Sequence, residues 1–310
     1  MKTVNKEIEI FKQYLTAKGF STETVRTTIK NIVKFIEWIE VSNLEPETLN
    51  YNDIMAYIKI SQQRGIKTRT AQLLANYIKH YLNYLVDAGI ITHNPAMALK
   101  LKNAKRKTVY NILSSEELEM IYKSYSIEIK KHLIAPPQGL NELSRKRNKV
   151  LLGLFVYQGI ATEDAKILEL KHLDLREGKI TIPGTRRSNE RTLKLEAHQI
   201  FDLYDYVNDV RKQILHLTKK QSELLFISTG TGNQLQNTLQ KLTKELTTKN
   251  TNVENLHQIR ASVITNWLKQ YNKRKVQHMA GHRYVSSTEA YEANNIDVLQ
   301  EDVERFYPVL

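Results

Sequence analysis

The sequence predicts a mainly α-helical protein of two domains, with a small antiparallel β-sheet in the second domain. Apolar residues recur at helical spacing through the first hundred residues, and two short strand-like segments flank a polar turn near residue 185. A lysine-rich run separates the two halves, and 310 residues suffice for two hydrophobic cores. We expect a helical domain over residues 1–100, a basic linker over 101–113 and a mixed domain over 114–310.

The N-terminal domain is predicted to consist of four amphipathic helices. The first ends at Gly19, and Ser21 is a good N-cap for the second because its hydroxyl can accept a free backbone N–H. A third helix surrounds Ile54, and a fourth runs from about Thr70 to Leu85. Short loops between these helices predict a compact domain.

The second domain is predicted to combine helices with one hairpin. Ser114 and Glu117 match a capping box that begins a helix, and the apolar stretch 150–157 predicts a buried helix. Strands over 179–183 and 191–195 on either side of the polar turn predict the hairpin. Further helical patterns occur at about 197–216, 233–248 and 256–270.

The charge balance favours a polyanionic partner. Lys and Arg number 46 against 33 Asp and Glu, a net charge of +13, which suits nucleic acid or an anionic membrane; a generically basic, solvated surface is the alternative. The chain has no cysteine, which excludes disulfides and thiolate chemistry. Because no segment has the apolar length of a membrane span or the pattern of a signal peptide, we expect a cytoplasmic protein.

Four residues of the second domain suit phosphate chemistry through their order and spacing. His257 and Arg260 lie three apart at a predicted helix start, on one face. Gly281 and His282 follow about twenty residues later, and Tyr291 lies nine residues beyond His282. Each feature is common by itself, so the information lies in the combination.

This combination resembles the C-terminal boxes II and III of tyrosine recombinases, also called phage-integrase-type or Xer-like recombinases. The stretch 157–168 is similar to the family's box I, residues 178–195 to its β-hairpin, and the N-terminal helices to its SAM-like core-binding domain. The sequence of residues 281–291 most resembles the corresponding segment of recombinases from Bacteroidetes-type mobile elements.

The resemblance implies a two-domain DNA clamp that recombines DNA at specific sites through a 3′-phosphotyrosine intermediate. Tyr291 would be the nucleophile, and Arg260 would bind the phosphate with its planar fork. His257 and His282 would supply further donors, and His257 could also accept the tyrosine proton. We expect no metal and no cofactor.

Two departures from the family pattern concern box I and box II. Ala161 stands where the family carries an arginine, and losing such a donor costs on the order of 10²–10³ in rate. Arg145, Arg147 and Lys166 are the candidates for a replacement. Ala261 stands where many relatives have histidine, a milder change.

A third departure lies at the hairpin tip, where the family usually has a lysine that protonates the leaving oxygen. Here the turn carries Arg186 and Arg187, which are good charge stabilisers but poor proton donors. Their alternative role is to hold the DNA backbone, and Lys179 and Lys194 are then the candidate acids.

Several basic residues are candidates for binding double-stranded DNA. They are Lys67, Arg69, Lys79, Lys105, Arg106, Lys269, Lys273, Arg274, Lys275 and Arg283. The resemblance also implies that the amphipathic tail 296–310 docks into a neighbouring protomer of a tetrameric synapse. Two alternatives remain: a relative that binds DNA without cleaving it, which Ala161 favours, and a basic helical transcription factor.

Overall fold

The computed structural model describes residues 2–101, 110–125, 139–232 and 234–292. They belong to two compact units, Met1–Thr108 and Val109–Leu310. Lys105, Arg106 and the predicted docking helix at the C-terminus lie outside the described residues.

The first unit contains four helices, as the apolar spacing predicts. They are α1 (Lys2–Ala17), α2 (Thr22–Val41), α3 (Tyr51–Gln63) and α4 (Thr68–Asp87), with a 3₁₀ turn at Pro46–Thr48. The hydroxyl of Ser21 accepts the backbone N–H of Thr24 and caps α2, as predicted. Phe11, Ile32 and Ile54 are completely buried where the helices meet. This core stabilises a small helical unit.

The second unit is built on a helix that is buried along most of its length. The helices of this unit are α5 (Ser115–Lys123), α6 (Leu140–Gln158), α7 (Thr162–Ile167), α8 (Ala197–Asp205), α9 (Arg211–Thr218), α10 (Gln236–Lys249), α11 (Leu256–Gln270), α12 (Lys273–Ala280) and α13 (Val285–Glu292). The capping box of Ser114 and Glu117 begins α5, as predicted. Leu151, Leu152 and Phe155 of α6 are completely buried. Because α6 is covered on several sides, its pattern is nearly continuous rather than amphipathic.

A three-stranded antiparallel sheet lies beside these helices. It consists of β1 (Leu173–Asp174), β2 (Lys179–Ile182) and β3 (Arg191–Lys194), in the order β1-β2-β3. Lys179 pairs with Lys194 and Ile182 with Arg191, so the predicted hairpin is confirmed. The sequence did not predict β1, which is only two residues long.

The predicted helix at 197–216 is interrupted. A π-helical segment at Tyr206–Val210 separates α8 from α9, and Tyr206 there donates its hydroxyl to the carbonyl of Leu225. The predicted fold class, mainly α with a small antiparallel sheet, is confirmed. No helix in the described part of the chain combines the length and apolar character needed to cross a membrane.

Candidate active site

The start of α11 brings two predicted site residues to one small pocket. Asn255 caps this helix by accepting the backbone N–H of Gln258 at 2.9 Å. His257 and Arg260 then line the pocket together with Ala161. His257 is exposed, whereas Arg260 is only 7% exposed. The pocket therefore has a buried cation at its base and an imidazole at its rim.

The Arg260 guanidinium is held by backbone carbonyls at the ends of two helices. It donates to the carbonyl of Gly159, the C-cap of α6, and at 2.8 Å to that of Ala280, the last residue of α12. Helix C-termini carry partial negative charge, which favours a cation there. The folded chain thus orients this fork before any substrate is present.

Gly159 is required for this arrangement. Its φ is +53°, a conformation that other residues adopt at a cost, and a Cβ would lie 2.9 Å from Cγ1 of Val263. A side chain here would push α6 away from α11 and move the carbonyl that holds Arg260.

Tyr291 and His282 lie beside Arg260. The His282 and Tyr291 rings stack with centroids 5.5 Å apart, and Arg260 Nη2 lies 3.5 Å from His282 Nε2. Burial lowers the pKa of Arg260, whereas the charge and hydrogen bonding of the Tyr291 side chain act to raise it. The structure therefore brings three of the four predicted residues into one cluster.

His282 is held in its neutral form. Burial, followed by the charges of Arg260 and Arg191, lowers its pKa to about 4. Because a guanidinium can only donate, Nε2 of His282 is the acceptor, and the ring proton lies on Nδ1, 2.9 Å from Thr288 Oγ1. At neutral pH the lone pair of Nε2 thus faces Arg260.

The hairpin tip docks onto the loop that carries His282. The backbone N–H of Asn189 donates to the carbonyl of Gly281 at 2.9 Å, and Arg283 Nη2 donates to the carbonyl of Thr185 at 3.1 Å. Arg186 and Arg187 are exposed in this turn. Both side chains are therefore open to solvent at the hairpin tip.

The two alternative lysines of the hairpin differ in their surroundings. Lys194 is exposed on β3, and Lys179 pairs with Glu177 at 3.3 Å.

None of the three candidates for the missing box I arginine lines the pocket beside Ala161. Arg145 forms an ion pair with Glu245 at 3.2 Å, and Lys166 forms one with Glu163 at 2.6 Å. Arg147 donates to the carbonyl of Ile227 at 2.7 Å. All three side chains therefore contact groups that do not line this pocket.

Sequence reasoning missed Arg191, which is buried next to this cluster. Its Nη2 lies 2.6 Å from Oδ2 of Asp164, and its side chain is 0% exposed. Residues on β3 alternate between buried and exposed, which places Arg191 on the same inward face as Leu193. This alternation is the feature of the sequence that could have identified Arg191. A charged arginine at an inward-facing strand position has to be explained by a partner or a function.

The basic residues predicted to bind DNA differ in their exposure and in their contacts. Lys67, Arg69 and Lys269 are exposed. Lys79 donates to the carbonyl of Met97 at 3.1 Å, and Lys273 forms ion pairs with Glu289 and Glu292 on α13. The ammonium groups of Lys79 and Lys273 are therefore already engaged.

The other basic candidates around α12 also have partners. Arg274 donates to Gln277 at 3.1 Å, and the Lys275 ammonium lies 3.6 Å from the centre of the Tyr271 ring. Both residues are exposed, so these contacts leave part of each cation open to solvent. Across the described ranges, no three His, Asp or Glu side chains are grouped so as to hold a metal ion.

Comparison with known proteins places this site in a family. A sequence model of the phage integrase family matches residues 128–297, more than half of the chain. The tyrosine recombinase XerC of Anoxybacillus flavithermus is 22% identical over 296 residues, covering 94% of each chain. The tyrosine recombinase XerC of Thermodesulfovibrio yellowstonii is 24% identical over 302 residues, covering 94% of this chain and 92% of the relative.

Solved structures show the same fold. The XerH site-specific recombinase in a post-cleavage complex with a palindromic difH substrate matches 93% of this chain and 81% of its own, with a TM-score of 0.70 and 18% identity. A lambda integrase (75–356) dimer bound to a COC′ core site matches 94% of this chain and 95% of its own, with a TM-score of 0.65 and 15% identity. The predicted resemblance to tyrosine recombinases is confirmed, whereas the resemblance to the Bacteroidetes mobile-element type stays a prediction, and the chain belongs to the phage integrase family.

Proposed function

We propose that this protein is a site-specific DNA recombinase or integrase that cleaves and rejoins double-stranded DNA through a 3′-phosphotyrosine at Tyr291. The observation that carries the proposal is the cluster of Tyr291, Arg260 and His282. It joins a nucleophile to a buried cation of the type that binds phosphate.

The chemistry follows from the groups in this cluster. The Tyr291 oxygen attacks the phosphorus and displaces the 5′-oxygen, while Arg260 stabilises the charge on the non-bridging oxygens. The phosphotyrosine keeps the bond energy, so a new 5′-hydroxyl can reverse the step without ATP.

Proton transfer falls to residues around the pocket. His257 at the rim is the candidate acceptor of the Tyr291 proton, because an exposed imidazole can act as a general base. Arg186 and Arg187 at the hairpin tip stabilise charge, and the exposed Lys194 is the candidate proton donor to the leaving oxygen.

The proposed substrate and assembly agree with the relatives. The XerH and lambda integrase structures are complexes with DNA, and one lambda integrase structure is a tetramer bound to a Holliday junction. For this chain we propose a DNA-bound tetramer coupled through residues 296–310, and an origin in a mobile element. The alternative of a relative that does not cleave DNA gains no support from these comparisons, because the relatives are named as recombinases.

A suicide substrate tests the proposal. Binding sites are first selected from a randomised duplex pool, and the selected DNA is then nicked close to the protein footprint so that a cleaved strand cannot be rejoined. We expect a covalent protein–DNA band on a denaturing gel that is lost in Tyr291→Phe and kept in Tyr284→Phe, since Tyr284 is a neighbouring exposed tyrosine. A wild-type protein that binds the selected DNA but forms no such band contradicts the proposal.

A further inference from the structure

The buried Arg191 side chain is not explained by its protein contacts. It is one of the largest completely buried side chains of the described residues, and Nη2 makes an ion pair of 2.6 Å with Asp164. Among the described residues, its Nε and Nη1 atoms are buried without a hydrogen-bond partner. Buried donors of a charged group are normally satisfied, so the two free nitrogens indicate a role beyond packing.

The ion pair between Arg191 and Asp164 is also a poor way to stabilise the fold. Removing two charges from water costs several kcal/mol per ion before their attraction is counted, and apolar pairs of similar size often stabilise a fold as well or better (~1–4 kcal/mol). Asp164 is moreover shared, since Oδ2 also accepts the backbone N–H of Ala161 at 2.8 Å. The Asp164 carboxylate thus contacts both the Arg191 guanidinium and the backbone of Ala161, the position that lacks the family's arginine.

Gly281 brings the Arg191 guanidinium against the loop that carries His282. A Cβ at Gly281 would lie 2.6 Å from Nη1 of Arg191, and the glycine has a φ of +69°. Arg260 approaches the same loop through the carbonyl of Ala280. Two guanidinium groups therefore flank the three residues Ala280, Gly281 and His282.

The local charges do not balance. The two guanidinium groups face a single carboxylate, Asp164. Burial is the largest cause of the lowered pKa of Arg260 and of His282, and the positive charge of Arg191 adds to the lowering in both. These shifts indicate that Arg191, Arg260 and His282 lie close enough for their charges to interact. In a low-dielectric site such an excess of positive charge attracts an anion strongly.

We propose that Arg191 supplies the second positive charge of the phosphate site, in place of the arginine that is absent at Ala161. Because its side chain is completely buried, Arg191 acts as a positioning residue through its field across the Gly281 backbone, and Arg260 makes the direct contact. This inference rests on the proposed function, because it assigns a phosphate as the anion.

The test measures binding of inorganic phosphate to the full-length protein by NMR of the His282 ring, whose signal is identified by its loss in His282→Asn. The neutral pair Asp164→Asn/Arg191→Met would remove one charge of each sign and leave the net charge of the site unchanged, so the test variant is Arg191→Met, in which Asp164 keeps the backbone N–H of Ala161. We expect the Kd for phosphate to rise at least ~10-fold in Arg191→Met, whereas Asp164→Asn, which keeps the Arg191 charge, should bind phosphate at least as tightly as the wild type. Thermal unfolding of each variant shows that it is folded.

Two further variants separate charge from packing. Ala161 lines the pocket beside Arg260, so the double variant Ala161→Arg/Arg191→Met places a cation there and restores the net charge, and we expect the Kd to return to within about threefold of the wild-type value. Arg191→Lys, which keeps the charge, should retain most of the binding. A purely structural role for Arg191 would not be rescued by an arginine at 161.

The outcomes distinguish this inference from the proposed function. A folded Arg191→Met variant that binds phosphate as tightly as wild type, a folded Ala161→Arg/Arg191→Met variant without recovery, or a wild-type protein without a phosphate-dependent shift overturns the role of Arg191. Phosphate binding that depends on Arg191 supports that role even if the suicide substrate yields no covalent band, which would overturn the recombinase proposal alone.

Discussion

The rings of His282 and Tyr291 lie face to face, with centroids 5.5 Å apart and planes 11° from parallel. His282 in turn is linked to Thr288 by its Nδ1 and faces Arg260 with its Nε2. The position of the Tyr291 phenol is therefore tied to the loop after α12 as well as to its own helix, α13. His282 and Tyr291 are nine positions apart along the chain, and this separation allows their rings to stack.

The depressed pKa of His282 predicts a pH-dependent loss of stability. Its pKa is about 4 in the folded protein and near the usual 6.5 when unfolded, so the unfolded chain binds the proton more tightly. The stabilisation is complete above pH 6.5 and is lost as the pH falls towards 4. We expect about 2 kcal/mol of this loss to disappear in His282→Asn when urea unfolding is compared at pH 7.5 and pH 4.5. Equal losses in both proteins would contradict the assignment of a neutral buried ring.

Arg260→Lys should reduce strand cleavage by about 10²–10³-fold while DNA binding stays nearly unchanged. A lysine keeps the charge but cannot donate to both Gly159 and Ala280 while presenting a planar fork to phosphate. Single-turnover cleavage of the suicide substrate and filter binding measure the two effects. Arg274→Lys is the matched control, because Arg274 is exposed and donates to the side chain of Gln277 outside the cluster of Arg260, His282 and Tyr291. A collapse of DNA binding in Arg260→Lys would make Arg260 a general anchor instead.

Gly159→Ala should destabilise the second unit by roughly 2–4 kcal/mol and lower the cleavage rate. The substitution adds left-handed backbone strain and a contact of 2.9 Å with Val263. Gly19→Ala is the control, since Gly19 has a φ of +79° but open space around its Cβ position. Chemical unfolding should show a loss of about 1 kcal/mol for the control. Similar losses at both positions would mean that the packing against Val263 contributes nothing.

The basic residues at the start of α4 should act on DNA affinity through phosphates. Lys67→Gln and Arg69→Gln, both at exposed positions, should each reduce the slope of log K against log salt by about 0.9. Lys79→Gln should change this slope less, because its ammonium already donates to Met97. Fluorescence anisotropy over a range of salt concentrations measures all three. A larger effect of Lys79 would contradict the assignment.

The elements that the sequence predicts well are those with a strong local pattern. The four N-terminal helices follow from apolar spacing, and the hairpin follows from two alternating strands around a polar turn. The helices α12 and α13 were not predicted, because each has only eight residues and few apolar ones. They are stabilised by contacts between them, such as the ion pairs of Lys273 with Glu289 and Glu292.

The residues of the candidate site also divide into those that the sequence predicts and those that it does not. Arg260, His282 and Tyr291 could be found from their types and spacing, and the fold brings them together. The position of Arg191 depends on the approach of β3 to α7 and α12, which no local pattern encodes. The candidates Arg145, Arg147 and Lys166 lie within sixteen residues of Ala161 in the sequence, whereas Arg191 lies thirty residues away and is joined to Ala161 through Asp164.

Mass spectrometry of the covalent complex identifies the residue that becomes attached to the DNA. After nuclease and protease digestion, we expect a nucleotide attached through its 3′-phosphate to the phenolic oxygen of Tyr291. A nucleotide on Tyr284 or another tyrosine, or a protein that cleaves its selected DNA without any attached nucleotide, would contradict the role of Tyr291 as nucleophile.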